Sequence, residues 1–345
     1  NPMARPTATK PPTAPKAAKA AKPAKPAAPG PGVSPDLLAM CRASFAANPA
    51  NRVAMNACTA GNVDEIAINR QAVASLDWHF SHEVETGEIT HQRQAGFCWL
   101  FAALNWLRVD VIAKHNLETL EFSQNHLIFW DRFEKANRFL TAMVALRDRP
   151  TDDRLVHFFL HEPCPDGGEW HMVGNLIRKY GLLPKAAMND TANLVDSKFL
   201  NKVVDAKLRQ AAARIFGLQR AGAAEAEIEA FKAATMTEVY RILAILMGEP
   251  PATFDFTYRD KKKKFHAHRG LTPHGFYEQF VGVDLTAYAW VMSAALPDTP
   301  YERTYYVDHL QNVVEGRPGT FLNLPMPVLK GLALKALKAK QAVFF

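Results

Sequence analysis

Apolar residues recur at helical spacing in several separate stretches of the chain. The clearest stretch begins at Cys98 and runs to position 114, where Leu100, Leu104, Leu107 and Val111 fall on one face of a helix. A single continuous apolar stripe of this kind is typical of a helix that packs one side against a core. The pattern therefore predicts a helix over 98–114.

The same spacing predicts more helices on both sides of this one. They lie from Ser34, from Ser123 through Leu140, over 169–180, in two parts over 195–247 around a turn at 221–224, and over 328–340. Ser34 and Ser123 are residue types suited to the helix N-cap, and Gly181 followed by Pro184 stops the helix over 169–180. Most of the chain before residue 250 is therefore predicted to be helical.

Strand patterns lie mainly after residue 250. They are found at 254–258, 304–307 and 320–324, whereas residues 51–92 look irregular with strand-like pieces. A mainly helical half followed by a strand-rich half predicts an α+β fold.

The positive charge of the chain is concentrated at one end. The net charge of the 345 residues is +7, but residues 1–33 hold six Lys or Arg and no Asp or Glu, which leaves 35 basic and 34 acidic residues elsewhere. These 33 residues are repetitive in Lys, Ala and Pro, a composition that predicts a disordered tail. The rest of the chain, from residue 34, has no basic character that would suggest nucleic acid as its main partner.

Composition also excludes several classes of protein. No run approaches the roughly 18 apolar residues that a membrane helix needs, so no membrane span is expected. Four cysteines without zinc-type spacing predict neither a disulfide framework nor a metal site. The motifs GxxxxGK[ST], GxGxxG, HExxH and GxSxG are absent, which leaves nucleotide-binding, zinc-protease and serine-hydrolase functions without local support.

Cys98 is the strongest candidate for chemistry. A cysteine at a helix N-terminus lies in the positive end of the helix dipole, which stabilises the thiolate that a nucleophile needs. Gly96 allows a close backbone approach, and the side-chain amide of Gln92 could join the Cys98 backbone N–H in an oxyanion hole. The alternative is a buried structural cysteine at a helix start.

The residues around Cys98 and several runs elsewhere resemble one family. The spacing of Gln92 and the run GFCW at 96–99 is similar to the papain-like cysteine protease signature. More specific runs are CWLFAALN at 98–105, EFSQ at 121–124, FWD at 129–131, EKAN at 134–137, DGGEW at 166–170, NRVAMN at 51–56 and NLPMPV at 323–328. Taken together, and in the order in which they occur along the chain, these runs resemble the bleomycin hydrolase/aminopeptidase C family over residues 34–345.

The resemblance implies roles for five residues. Cys98 would be the nucleophile, Gln92 would supply the oxyanion-hole side chain, Gly167 and Gly168 would border the substrate cleft, and Trp99 would pack behind the catalytic helix. The glycine pair also fits a simple turn before the next helix. No metal or organic cofactor is implied.

The resemblance also implies an architecture. It is the papain-like α+β fold, with a helical left lobe that carries Cys98, an incomplete β-rich right lobe after residue 250 and a helical insertion at about 186–248. Family members usually have Ser and Arg near Ala95 and Phe97, so the entrance to the cleft is expected to differ here.

The partner of the thiol is the missing element. A thiolate peptidase needs a histidine and an orienting group, and in this family His and Asn lie C-terminal to the region that matches Phe345. The sequence is therefore expected to be cut off inside its fold, and this chain is expected to be inactive. His171 fits a helix face, and His266 and His268 fit a solvated loop beside a lysine run rather than a metal site.

The function expected from the sequence is a cysteine aminopeptidase that releases N-terminal residues from peptides and bleomycin-like amides. The four cysteines, too few for a disulfide framework, favour a reducing, cytoplasmic setting, and by resemblance the protein would form a homohexamer when full length. Two alternatives stay open, namely a papain-like endopeptidase and a non-catalytic protein that associates with nucleic acid through the basic tail.

Overall fold

The computed structural model describes residues 32–345, so nearly all of the expected disordered tail at 1–33 lies outside the described residues. The chain divides into two compact units, one that ends at His79 and one that spans Phe80–Phe345. The candidate site residues all belong to the second unit.

The described part of the first unit is helical. It contains α1 (Pro35–Ala47), α2 (Pro49–Ala60), α3 (Val63–Ile66) and α4 (Arg70–Ala74). The expected start at Ser34 is confirmed, because its hydroxyl accepts a hydrogen bond from the Leu37 N–H. The strand-like pieces expected over 51–92 are wrong: Asn48, Asn62 and Asn69 each cap the helix that follows.

The helices of the second unit include most of the predicted ones and some that were not predicted. They are α5 (Cys98–Lys114), α6 (Gln124–Ala145), α7 (Arg154–His161), α8 (Trp170–Tyr180), α9 (Ala192–Val195), α10 (Lys198–Arg220), α11 (Glu225–Met247), α12 (Pro273–Phe276) and α13 (Met326–Lys338). The N-cap at Ser123 and the stop of α8 at Gly181 are confirmed. The sequence did not predict the short helix α7, whose N-cap is Asp153.

Helices α5 and α6 form the centre of this unit. All four residues of the predicted α5 stripe are buried. Helix α6 contacts α5, α7, α8, α10 and α11, and it is buried over most of its surface. This burial includes several charged side chains, which need polar partners inside the protein.

The α10–α11 pair follows the prediction for 195–247, with the turn at 221–224 between the two helices. Both helices pack against α6 and against each other. That this helical segment is an insertion at about 186–248 stays a prediction.

The strands form two small sheets. Strands β1 (Phe254–Arg259) and β2 (Phe265–Leu271) pair antiparallel, while β5 (Thr320–Asn323) lies between β3 (Trp290–Met292), which is parallel to it, and β4 (Arg303–Tyr306), which is antiparallel. The solvated loop expected at His266 and His268 is wrong, because both residues lie in β2. A tight turn after Asp260 connects the two strands. The Asp260 carboxylate accepts hydrogen bonds from the Lys262 and Lys264 N–H groups.

No helix within residues 32–345 is both long enough and apolar enough to cross a membrane.

Candidate active site

Cys98 is the first residue of α5, and it is exposed. Its neighbours on both sides, Phe97 and Trp99, are buried, so the backbone is anchored while the cysteine faces outward. Phe97 occupies the N-cap position, and its side chain makes no capping hydrogen bond. The Phe97 side chain therefore does not cap the helix, and the backbone N–H groups of its first turn are left for a ligand.

Two glycines allow the DGGEW turn to lie directly against the start of α5. A Cβ built on Gly96 would stand 2.6 Å from the Asp166 Cβ, and one built on Gly168 would stand 2.5 Å from the ring of Trp99. The Trp99 Nε1–H donates to the Asp166 carbonyl over 2.9 Å. The residue types at 96, 99 and 168 are thus explained by close packing around Cys98.

Gly167 differs from both, because a Cβ on it would meet no atom within 4 Å. It is exposed at the same turn. This face of the turn is open, as the border of a cleft requires.

The Asp166 side chain holds the turn in place through several polar contacts. Its carboxylate accepts hydrogen bonds from the Gly96 N–H at 3.2 Å, the Ser197 hydroxyl at 2.8 Å and the Asn201 amide at 2.8 Å. It also pairs with the buried guanidinium of Arg132. A charged carboxylate with four donors is strongly held, so the segment before Cys98 has a fixed position.

The buried side chain of Lys135 also stabilises the turn. Its fully buried ammonium donates to the carbonyls of Pro165 at 2.8 Å and Gly167 at 2.7 Å, and it pairs with Asp131 at 2.7 Å. The ammonium also lies 5.3 Å from the centre of the Trp99 ring.

Burial disfavours the charged form of this lysine and lowers its pKa, while the nearby Asp131 carboxylate acts in the opposite direction. Asp131 is itself buried and accepts a hydrogen bond from the Asn312 amide over 2.9 Å. Helix α6 therefore carries a buried polar network that ends on the glycine turn.

Gln92 lies in the segment that leads to Cys98. Its Nε2 donates to the Ala95 carbonyl over 2.8 Å, which folds the side chain back along its own loop. An amide nitrogen carries two hydrogens, so one remains for another acceptor. The oxyanion-hole role of Gln92 stays a prediction.

Ala95 and Phe97, the two positions that depart from the family pattern, are buried. The guanidinium of Arg132 lies 5.0 Å from the centre of the Phe97 ring. Both side chains therefore belong to the packing beneath the segment.

The histidines of the described chain are engaged elsewhere. His171 Nε2 contacts the Leu310 carbonyl at 2.8 Å, His115 and His126 contact the carbonyls of Phe280 and Tyr180, and His266 pairs with Asp260. Within residues 32–345 no histidine is hydrogen-bonded to Cys98. The same range holds no cluster of three or more His, Cys, Asp or Glu that could bind a metal.

The sequence model of the family described as "Peptidase C1-like family" matches residues 32–345. This chain belongs to that family. The match covers Cys98, the glycine turn and α6, so the papain-like α+β fold expected from the sequence is confirmed.

Curated relatives agree with this membership. Aminopeptidase C from Lactobacillus delbrueckii subsp. lactis is 36% identical over 313 residues, which are 91% of this chain and 70% of the relative. Bleomycin hydrolase from Gallus gallus is 33% identical over 320 residues, again 91% of this chain and 70% of the relative.

A solved structure agrees as well. The crystal structure of PepW from Lactobacillus rhamnosis HN001 superposes with a TM-score of 0.87 at 38% identity, covering 90% of this chain and 70% of that one. At 38% identity, this chain and PepW are similar in sequence as well as in fold.

Sequence reasoning missed the support beneath the turn. Asp131, Arg132 and Lys135 were not singled out for any role, yet all three are buried next to the site. The signal was present, because five charged residues (131, 132, 134, 135 and 138) crowd a helix that also carries a strong apolar pattern. Charged residues are almost never fully buried unless they are paired, so such crowding in a core helix indicates a polar network.

Proposed function

We propose that this chain is the core of a cysteine aminopeptidase that uses Cys98 as its nucleophile. The observation that carries the proposal is the exposed cysteine at the uncapped N-terminus of α5, held beside an open glycine turn. Membership of the peptidase family and the aminopeptidase names of its relatives support the same activity.

The reaction would proceed through a thioester. The Cys98 sulfur attacks the carbonyl carbon of the first peptide bond, the C–N bond breaks, and the amine leaves with a proton. Water then hydrolyses the thioester and restores the thiol. The Cys98 N–H and the remaining Gln92 N–H would stabilise the tetrahedral oxyanion, and a chain lying along Gly167 would be positioned for attack.

The nucleophile can be tested without turnover, by measuring how fast each cysteine is alkylated by iodoacetamide. Cys41 and Cys58 are exposed as well, so they serve as internal controls, whereas buried Cys164 should react last. If Cys98 is the nucleophile of the site, we expect it to be alkylated several-fold faster than Cys41 and Cys58. An equal rate at the three exposed cysteines would contradict the proposed nucleophile.

Two further reagents test whether the site binds the N-terminal residue of a peptide or an internal segment. An aminoacyl chloromethyl ketone with a free amino group should label Cys98 faster than its N-acetylated form if the site takes N-terminal residues. Preference for the acetylated reagent would favour the endopeptidase alternative. The Cys98→Ala variant must lose this labelling in both cases.

We also propose that the chain, by itself, turns over substrate poorly. No described histidine contacts Cys98, and a thiol without a base cannot readily protonate the leaving amine. Release of an N-terminal residue from a chromogenic amide should therefore be close to background. Robust release that disappears in Cys98→Ala would contradict the inactivity while supporting the peptidase assignment.

The finer expectations, which come from the resemblance and from the low cysteine content, remain proposals. They are action on bleomycin-like amides, a homohexamer when full length and a cytoplasmic location. The basic residues at 1–33 motivate a weak association with nucleic acid, for which salt-dependent DNA binding that disappears on deletion of 1–33 is the test.

A further inference from the structure

A cavity of about 440 Å³ opens beside the glycine turn. Gly167 is among its lining residues, so the cavity adjoins the open face of the turn. Its walls combine apolar surface from Phe158, Phe159 and Met172 with several basic side chains.

Arg138 is the most informative of these basic residues. It is only 8% exposed, yet its guanidinium has no carboxylate partner among the described residues. One terminal nitrogen donates to the His309 carbonyl over 3.1 Å, the guanidinium carbon lies 5.3 Å from the centre of the Phe159 ring, and the buried Nε has no acceptor. A buried guanidinium normally pairs with an anion, so the Arg138 side chain is suited to a carboxylate that reaches the cavity.

The charges around Arg138 reinforce this conclusion. Arg154, at the start of α7, also lines the cavity and forms no ion pair within the described chain, while Lys135 is already paired with Asp131. Among the described lining residues Glu162 is the single carboxylate, so it is outnumbered by the two guanidinium groups that form no ion pair there.

We propose that this cavity binds a carboxylate of a peptide lying along Gly167, with Arg138 and Arg154 as its ligands. The apolar walls would contact the aliphatic part of the group, and the planar guanidinium groups suit the two carboxylate oxygens. The carboxylate could come from an acidic side chain or from a peptide terminus. That the ligand is a peptide rests on the proposed function.

The test uses three small ligands that differ only in charge and its position. N-acetyl-glutamate amide carries a side-chain carboxylate, N-acetyl-glutamine carries a terminal carboxylate, and N-acetyl-glutamine amide carries neither. Dissociation constants are measured by titration calorimetry on the chain with Cys98→Ala, which removes any acyl transfer. The Arg138 Nε–H signal, followed by NMR in arginine-labelled protein, reports directly on the cavity.

We expect at least one acidic ligand to bind roughly ten-fold or more tightly than the neutral one, since a hydrogen bond to a charged group contributes that much. Arg154→Gln should reduce this preference several-fold. Because Arg154 is exposed, this variant should fold; Arg138→Gln should remove the preference altogether if it folds. Arg220→Gln, at the exposed end of α10, should leave the preference unchanged.

A preference for the side-chain acid or for the terminal acid identifies the source, and either result supports the proposal. Equal binding of the three ligands, absence of binding, or a preference that survives Arg154→Gln with no movement of the Arg138 signal would overturn it. These failures would leave the alkylation rate of Cys98 untouched, so the proposed function is judged separately.

Discussion

The Gly96 N–H donates a hydrogen bond to the Asp166 carboxylate over 3.2 Å, across 70 positions of sequence. This bond joins the segment before Cys98 to the DGGEW turn. Because the same carboxylate also holds Ser197 and Asn201, three separate parts of the chain meet at one side chain. The position of the candidate nucleophile therefore depends on Asp166 as much as on its own helix.

The two adjacent glycines of the turn should respond very differently to a methyl group. Gly168→Ala places a Cβ 2.5 Å from the Trp99 ring, whereas Gly167→Ala meets open space. We expect Gly168→Ala to lower the free energy of unfolding by about 1–3 kcal/mol, as overpacking does, and to slow alkylation of Cys98. Gly167→Ala should fold as the parent does; denaturant unfolding of both variants checks this, and equal stabilities would contradict the close contact with Trp99.

Lys135 should be essential to the turn because it satisfies two carbonyls and one buried carboxylate. Lys135→Met leaves Asp131 buried without its cation, which should cost about 3–5 kcal/mol in urea unfolding. Adding Asp131→Leu removes the orphaned charge, so the double variant should recover part of this loss.

Lys185→Met is the matched control, since Lys185 pairs with Glu121 and Asp190 while partly exposed to solvent. We expect that change to cost at most about 1 kcal/mol. Equal losses at Lys135 and Lys185 would contradict the structural role of the buried pair.

The chain pattern predicted those parts of the fold that depend on local periodicity. The stripe of α5, the cap at Ser123 and the stop at Gly181 are local features, and each was found where it was expected. Strand β2 was missed because its histidines follow the lysine run at 261–264, which resembles a solvated loop, whereas the structure makes that run the tight turn of a hairpin with β1.

In the candidate site too, some residues could be predicted from a local motif and others could not. Cys98, Gly96 and Trp99 are close in sequence, so a local motif could indicate them. Lys135 and Asp166 act through contacts with other elements, and their meeting cannot be obtained from spacing alone. The resemblance to a family supplied Gly167 and Gly168, which no periodicity would have distinguished from an ordinary turn.

Gly181 ends α8 with φ of 67° and ψ of −161°, a backbone conformation that is essentially restricted to glycine. A Cβ there would stand 2.3 Å from the Pro273 carbonyl carbon, whereas Gly222, with φ of 73°, has no atom within 4 Å of such a Cβ. Gly222→Ala should therefore cost only the backbone strain of about 1–2 kcal/mol. Gly181→Ala should cost at least about 2 kcal/mol more, measured by denaturant unfolding. Similar costs would show that the contact between α8 and the start of α12 tolerates displacement.

His126 should make the stability of the protein depend on pH. Burial disfavours its charged form and lowers its pKa to about 4, although the Tyr180 carbonyl beside Nε2 acts in the opposite direction. Its Nδ1 is buried without a partner, so a proton placed there would have no acceptor. An unfolded chain would bind that proton with a pKa near 6.5, so the folded state binds fewer protons below that pH.

The contribution of neutral His126 is therefore fully present above about pH 6.5 and is lost as the pH falls through about 4. Between those limits we expect the free energy of unfolding to fall by about 3 kcal/mol from this group. In His126→Gln, which cannot be protonated, this part of the pH dependence should disappear, whereas exposed His157→Gln should keep it. Urea unfolding of the three proteins from pH 7 to pH 4 measures the difference, and parallel curves for the parent and His126→Gln would show that burial of this imidazole is not linked to protonation.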